Sequence, residues 1–419
     1  MQTLSDFIEA HIGDDPVKLA LNRAKYPGVD IKTVVETLLS RDKLKNKLPK
    51  WYAETRLILP YSLSAEQCSG EEMALYKAAL AEKLCDDLCK EINDVEEYGL
   101  RIADLTGGLG SDCAAFSKIA DKVLYNEMSP FLCRCVEYNF AILGIDNCLF
   151  SNAEVKPGAV GEILGDFAPA LIDLDPARRS DKGGKVYHIE DCSPDVSLLK
   201  GELLEAAPVV MIKLSPMADI SSVFQKMGDG CREVHIVGTT RECKELLLVI
   251  QRGYCGDCSI VVDGFRFTLK EERAAVPMMA DSAPSVGDII LEPVKKVMKA
   301  APFNLLSTRF GLEKFDRSTH IYIARKEVTC ENVALLENGL FHCGEVVECL
   351  ELNGRNIKEL SRRYPKADVV SHNTPISSDD LAKRLKCSSG NEFRIMALHL
   401  GSTSSNLLIV TRPNSLSRQ

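Results

Sequence analysis

Apolar positions change their spacing along the chain. Over residues 1–95 they recur at helical intervals: Leu4, Phe7, Ile8 and Ile12 share one face, and Ile31, Val34, Val35 and Leu38 repeat it. Asp15-Pro16 reads as a helix cap followed by a first-turn proline. A helical N-terminal domain is expected there. From residue 100, short apolar runs alternate with amphipathic stretches. They predict strands at Arg101 to Leu105, Lys122 to Asn126, Leu149 to Ser151, Ala170 to Leu174, Val209 to Lys213, Glu233 to Val237 and Ser259 to Val262. Helices are expected between them, among them Pro130 to Leu143 and Arg241 to Ile250. Such alternation predicts an α/β, Rossmann-like parallel sheet over residues 96–273, with ligands at the carboxyl ends of its strands.

After Glu272-Arg273, a Pro-, Ala- and Ser-rich passage through Pro284-Ser-Val-Gly287 marks a boundary. A small unit over residues 274–318 follows, with helical stretches from Val294 to Ala300 and from Phe303 to Phe310. His320-Ile-Tyr-Ile-Ala324 begins another block of mixed elements over residues 319–419. It runs through Asn356 to Arg363, Ser378 to Leu385, Phe393 to Leu398 and Asn406 to Val410.

Composition narrows the function classes. The 419 residues are 45% hydrophobic and 26% charged, enough for several folded cores rather than disorder. No run approaches the roughly 18 to 20 apolar residues of a membrane span, and Met1-Gln-Thr-Leu-Ser-Asp6 lacks a signal-peptide pattern, so a cytoplasmic, membrane-free protein is expected. The 16 cysteines are scattered and read as reduced thiols. Cys255-Gly-Asp-Cys258, Cys85 with Cys89, and Cys133 with Cys135 each lack the second ligand pair of a zinc site, so no metal is expected.

Charge is unevenly distributed. The net charge is −9, yet Leu291 to Gln419 carries 19 Lys and Arg against 14 Asp and Glu, a net of +5, which leaves −14 on the first 290 residues. The basic end is where a polyanion would dock, unless the excess is ordinary surface scatter. Arg41-Asp-Lys-Leu-Lys-Asn-Lys-Leu-Pro-Lys-Trp51 gathers five cations and the only tryptophan. It reads either as a phosphate grip with a stacking ring or as a solvated helix end with a buried Trp.

The chemistry concentrates at three strand ends. Arg101-Ile-Ala-Asp-Leu-Thr-Gly-Gly-Leu-Gly-Ser-Asp112 joins a buried strand to a glycine turn and a helix start, where backbone can pass under a nucleotide-like ligand. The next strand ends at Glu127-Met128, where a carboxylate can accept hydrogen bonds from ribose hydroxyls. That spacing serves NAD and S-adenosylmethionine alike, but the glycines Gly107, Gly108 and Gly110 do not make the dinucleotide fingerprint. The fourth strand ends in Leu171-Ile-Asp-Leu-Asp-Pro-Ala-Arg-Arg179, and the polar passage Asp181 to Pro194 after it suits a substrate loop. Cys192 lacks the Pro-Cys context of a covalent nucleophile, and His188 and His235 read as structural. Lys213-Leu-Ser-Pro216, ending the fifth strand, could line the pocket but is assigned no role.

Asp104-Leu-Thr-Gly-Gly-Leu-Gly110, Leu63-Ser-Ala-Glu-Gln-Cys-Ser-Gly70, Asp175-Pro-Ala-Arg-Arg179 and Glu242-Cys-Lys-Glu-Leu246 together resemble a bacterial family of class I S-adenosylmethionine-dependent methyltransferases with a C-terminal THUMP-like domain. The resemblance covers nearly the whole chain. It implies a seven-stranded Rossmann-like sheet, a ferredoxin-like unit at 274–318, a THUMP-like domain at 319–419 and an RNA substrate such as tRNA or rRNA. It further implies S-adenosylmethionine held by Asp104, Thr106, Gly107, Gly108, Gly110, Glu127, Met128, Asn152 and Ala153, with Asp175, Pro176 and Arg178 at the reacting centre. Two departures stand out. Ala177 and Arg178 replace the Pro and aromatic of amine methyltransferases, and Asn152-Ala153 replaces the Asp that many relatives place after the third strand.

Overall fold

The computed structural model describes residues 1–92, 99–178, 189, 192–326 and 339–413. They fall into two compact units, residues 1–234 with 245–257, and residues 235–244 with 258–419.

The first unit opens with helices Gln2–Ala10, Pro16–Leu21, Ile31–Leu44, Pro49–Ala53, Ser62–Gln67 and Glu71–Ile92. Asp15 caps the second by accepting from the Val17 and Lys18 amides, as the Asp-Pro pair predicts. Ile8, Leu19, Val34, Leu38 and Ile58 pack with Cys135 of the later helix Pro130–Ile142 in one core. The joint is also polar: buried Asn139 donates to the Ile58 carbonyl at 2.8 Å and accepts from the Ile58 amide at 2.9 Å.

Strands β1 (Arg101–Asp104), β2 (Lys122–Asn126), β3 (Cys148–Ser151), β4 (Leu171–Leu174), β5 (Ala177–Arg178), β6 (Cys192–Ser193), β7 (Val209–Leu214), β8 (Cys231–Gly238), β9 (Cys243–Gln251), β10 (Ser259–Val262) and β11 (Phe265–Thr268) follow. All but β5 and β6 form a nine-stranded sheet in the order β11-β10-β8-β9-β7-β4-β1-β2-β3. β1, β2, β3, β4 and β7 are mutually parallel, and most are buried on both faces, so they appear as apolar runs without alternation.

Two expectations are corrected here. The sheet holds all seven expected strands and two more, β9 and β11, which makes nine. Arg241 to Ile250 is not helical: Cys243–Gln251 is β9, antiparallel to β7, with Glu245 to Gln251 buried. An apolar run this long reads equally as a buried helix, and only its place between β7 and β8 decides.

The second unit holds an eight-stranded sheet of β12 (Met278–Met279), β13 (Ile289–Pro293), β14 (Glu313–Lys314), β15 (Tyr322–Ala324), β16 (Phe341–Glu351), β17 (Asp368–His372), β18 (Arg394–Leu400) and β19 (Ser405–Pro413). Their order is β12-β14-β15-β13-β16-β19-β18-β17. Helices Gly354–Arg363 and Ser378–Leu385 bury Ile357, Leu360, Leu381 and Leu385 against Ile395, Ala397, Leu408 and Val410. Each helix buries a single apolar stripe.

Candidate active site

β1 ends at Asp104, in register with Tyr125 of β2 and Asp173 of β4. The chain then turns through Gly107, Gly108 and Gly110 into helix Ser111–Phe116. Each glycine has a reason. A Cβ on Gly107 would lie 2.2 Å from the Tyr125 ring, and Gly108 and Gly110 take φ of +52° and +88°. At Gly108 a Cβ would meet nothing closer than the Thr106 carbonyl at 3.8 Å, so that backbone borders open space.

Glu127 closes the turn from the next strand. Its carboxylate accepts from the Gly108 amide at 3.2 Å and the Ser129 amide at 2.8 Å, and the Tyr125 hydroxyl donates to the Gly108 carbonyl at 2.6 Å. Met128 is exposed beside it. Asn152 is exposed too, but its amide nitrogen donates to the Glu127 carbonyl at 2.5 Å, so it braces the loop after β2. Sequence reasoning missed Asn126. Fully buried, its side chain donates to the Leu105 and Ala153 carbonyls and accepts from the Ala153 amide, tying the ends of β1, β2 and β3 together. A polar residue closing an apolar strand was the available signal.

At the end of β4, the Asp175 amide donates to Thr106 Oγ1 at 2.6 Å, and its Oδ2 accepts from Lys213 Nζ at 2.6 Å. Lys213 Nζ also lies 3.7 Å from Glu245 Oε2. Pro176 is buried. β5 then leaves this turn and pairs antiparallel with β6, so the two ends of the expected substrate loop are stapled together. The Arg178 side chain, His188 and most of the Asp181 to Pro194 passage lie outside the described residues.

Beneath these turns, Asp104, Asp112, Asp173, Asp175 and Glu245 gather around the ammonium groups of Lys77 and Lys213. Lys77, fully buried on helix Glu71–Ile92, reaches Asp112 Oδ2 at 2.7 Å and Ser69 Oγ at 3.0 Å. Burial opposes charge on Asp112, but Lys77 outweighs it and holds the carboxyl below its usual range. Asp104 goes the other way, well above the usual range, through burial and then the nearby Asp173. Asp173 is pushed up to about 8, chiefly by burial. Its Oδ1 and that of Asp112 meet no hydrogen-bond partner among the described residues. The four segments that carry the sequence resemblance therefore meet in one place, through Ser69, the glycine turn, Asp175 and Glu245.

The cationic stretch before Trp51 behaves as helix packing. Arg41 is buried and donates to the carbonyls of Glu54 and Tyr52, Lys43 pairs with Glu66, Lys47 donates to the Ala65 and Glu66 carbonyls, and Trp51 is buried.

This sheet order belongs to the Rossmann-like fold of class I methyltransferases. A solved structure from Porphyromonas gingivalis W83, described as a "putative methyltransferase", matches 99% of this chain and 98% of that chain at 25% identity, with a TM-score of 0.81. An rRNA methylase from Streptococcus thermophilus covers 42% of this chain and 95% of its own at 11% identity, with a TM-score of 0.29. The N-terminal domain of EvdMO1 with SAH bound covers 41% of this chain and 81% of its own at 15% identity, with a TM-score of 0.27. Residues 290–329 match a family model described as a ferredoxin-like domain. No curated protein sequence matches the chain.

Proposed function

We propose that the chain is an S-adenosylmethionine-dependent methyltransferase whose acceptor is a base of structured RNA, such as tRNA or rRNA. The observation that carries the cofactor reading is the lip formed by Gly108 and Glu127. Left-handed backbone bordering open space stands 3.2 Å from a half-exposed carboxylate at the carboxyl end of the sheet. The full-length likeness to the Porphyromonas gingivalis structure supports it.

In this reading Asp104, Thr106, Gly107, Gly108 and Gly110 border the methionine and ribose of the cofactor. Glu127 accepts from the ribose hydroxyls, and Met128, Asn152 and Ala153 flank the adenine. The bound cofactor supplies an electrophilic methyl group on a sulfonium. Asp175 and the Pro176 carbonyl orient the acceptor, with Arg178 beside them, and the fixed carboxyl and ammonium groups beneath hold that geometry, so alignment does most of the catalytic work.

The RNA reading rests on the second unit. Residues 354–386 carry Arg355, Lys358, Arg362, Arg363, Lys366, Lys383, Arg384 and Lys386 as exposed cations, against a chain that is acidic as a whole. A THUMP-like role for residues 319–419 agrees with that charge.

Calorimetric titration with S-adenosylmethionine, with NAD as competitor and Asp104→Ala as control, tests the cofactor. Micromolar binding that NAD fails to displace and Asp104→Ala weakens is expected. Absence of binding would leave an RNA-binding protein on a methyltransferase fold. Tritium transfer from labelled cofactor into bulk RNA, rather than protein or small molecules, tests the acceptor.

A further inference from the structure

Lys213, which ends the fifth expected strand and has no role assigned from sequence, touches the residue given the central role at the acceptor end. Its ammonium lies 2.6 Å from Asp175 Oδ2 and 3.7 Å from Glu245 Oε2, with the side chain 17% exposed. β7 brings it there because it runs parallel to β4, in register over Leu171 to Leu174. β9, antiparallel to β7, delivers Glu245 from the other side, where Lys213 pairs with Leu247.

Asp175 is thereby held at two points, from the turn after β1 and from β7. Thr106 Oγ1 accepts its backbone amide, and Lys213 engages one carboxylate oxygen. The Asp175 side chain is 35% exposed, so the carboxylate also borders open space. A carboxylate at a loop start otherwise turns freely about its terminal torsion, presenting either oxygen in many directions. An ammonium locked between two carboxylates removes that freedom.

We propose that Lys213 is a positioning residue for methyl transfer. By occupying Oδ2 of Asp175 it leaves a single, fixed oxygen to orient the methyl acceptor. The inference rests on the methyltransferase reading of this site. It differs from an ordinary structural ion pair in what loss of the ammonium does: chemistry fails while the cofactor still binds. The partners of Lys213 are Asp175 and Glu245, whereas Glu127 and the glycine turn are held by each other.

The experiment compares wild type, Lys213→Met and Lys213→Arg as full-length proteins. Transfer from methyl-tritiated S-adenosylmethionine into a bacterial extract, separated into RNA, protein and small-molecule fractions, gives turnover whatever the acceptor. Calorimetry gives cofactor affinity, and thermal melting gives stability. Lys213→Met is expected to lower turnover at saturating cofactor by about 100-fold, the scale of a misplaced catalytic group, with cofactor affinity within about threefold of wild type. Lys213→Arg, which keeps a cation between Asp175 and Glu245, is expected to recover at least about tenfold of that loss. Turnover of Lys213→Met within about threefold of wild type overturns the proposal and leaves the methyltransferase reading standing. So does a parallel fall in turnover and cofactor affinity, or an equal loss in both variants. Wild type that binds no cofactor and labels no fraction overturns the methyltransferase reading, and the positioning role with it.

Discussion

Lys77 Nζ lies 2.7 Å from Asp112 Oδ2, so a helix of the N-terminal segment neutralises the first turn of the helix that follows the glycine loop. Both groups are buried. Removing one partner leaves the other as an uncompensated charge, and Lys77→Met is expected to cost about 3–5 kcal/mol of folding stability in urea titration. Adding Asp112→Asn should return part of that loss. A double variant no better than the sum of the two singles would show that the pair does not couple.

Asp173 gives a pH signature. Its carboxyl is raised to about 8 in the folded chain, mainly by burial, and returns to about 4 when unfolded. The folded state therefore holds the extra proton between those values, and stability falls as pH rises through that window. Asp173→Asn should melt at the same temperature as wild type near pH 4 and several degrees higher at pH 8 to 9. A constant difference across this range would refute the assignment.

Glu127→Gln keeps the shape of the side chain at the Gly108 lip but removes its charge. Hydrogen bonds to charged groups contribute about 1.5–3 kcal/mol, so S-adenosylmethionine affinity should fall roughly 10- to 100-fold by calorimetry. An unchanged Kd removes Glu127 from the cofactor set.

Gly107→Ala pushes a methyl group into the Tyr125 ring at 2.2 Å. The strain is expected to cost about 1–3 kcal/mol in chemical denaturation. Pairing it with Tyr125→Ala should relieve the clash, and failure to do so would place the strain elsewhere.

If the second unit carries the proposed RNA surface, Arg355→Ala, Lys358→Ala and Arg362→Ala together should weaken RNA binding and flatten its dependence on salt, by about 0.7–0.9 in log–log slope for each phosphate that is no longer neutralised. Unchanged slope in filter binding would move the RNA surface off helix Gly354–Arg363.

The parallel strands β1 to β4 and β7 were legible because strands buried on both faces write themselves as short apolar runs between turn residues. β9 was not, since Leu246 to Ile250 satisfies a helix and a strand equally and only its neighbours choose. The glycine turn, Glu127 and Asp175 sit at strand ends, where local sequence announces a ligand edge. The ion pairs of Lys77 and Lys213 could not be found that way. Lys77 is 35 residues from Asp112 and Lys213 is 38 from Asp175, and no periodicity links partners that only the assembled sheet brings together. Asn126 shows the same limit from another side, because a buried strand-end amide that ties neighbouring backbones together leaves no local pattern.

Asn139 binds both main-chain groups of Ile58 as an adjoining strand would, from within an apolar core shared by Ile8, Val34 and Cys135. A chain cut back to begin near residue 96 would keep the asparagine and lose what satisfies it, exposing a sticky flank in the same stroke. The opening helices and the parallel sheet are thus a single heritable block. Gene fusion or recombination that separates them is expected to leave a buried amide unsatisfied and an apolar face uncovered, so any transplant of this site should carry the first ninety or so residues along.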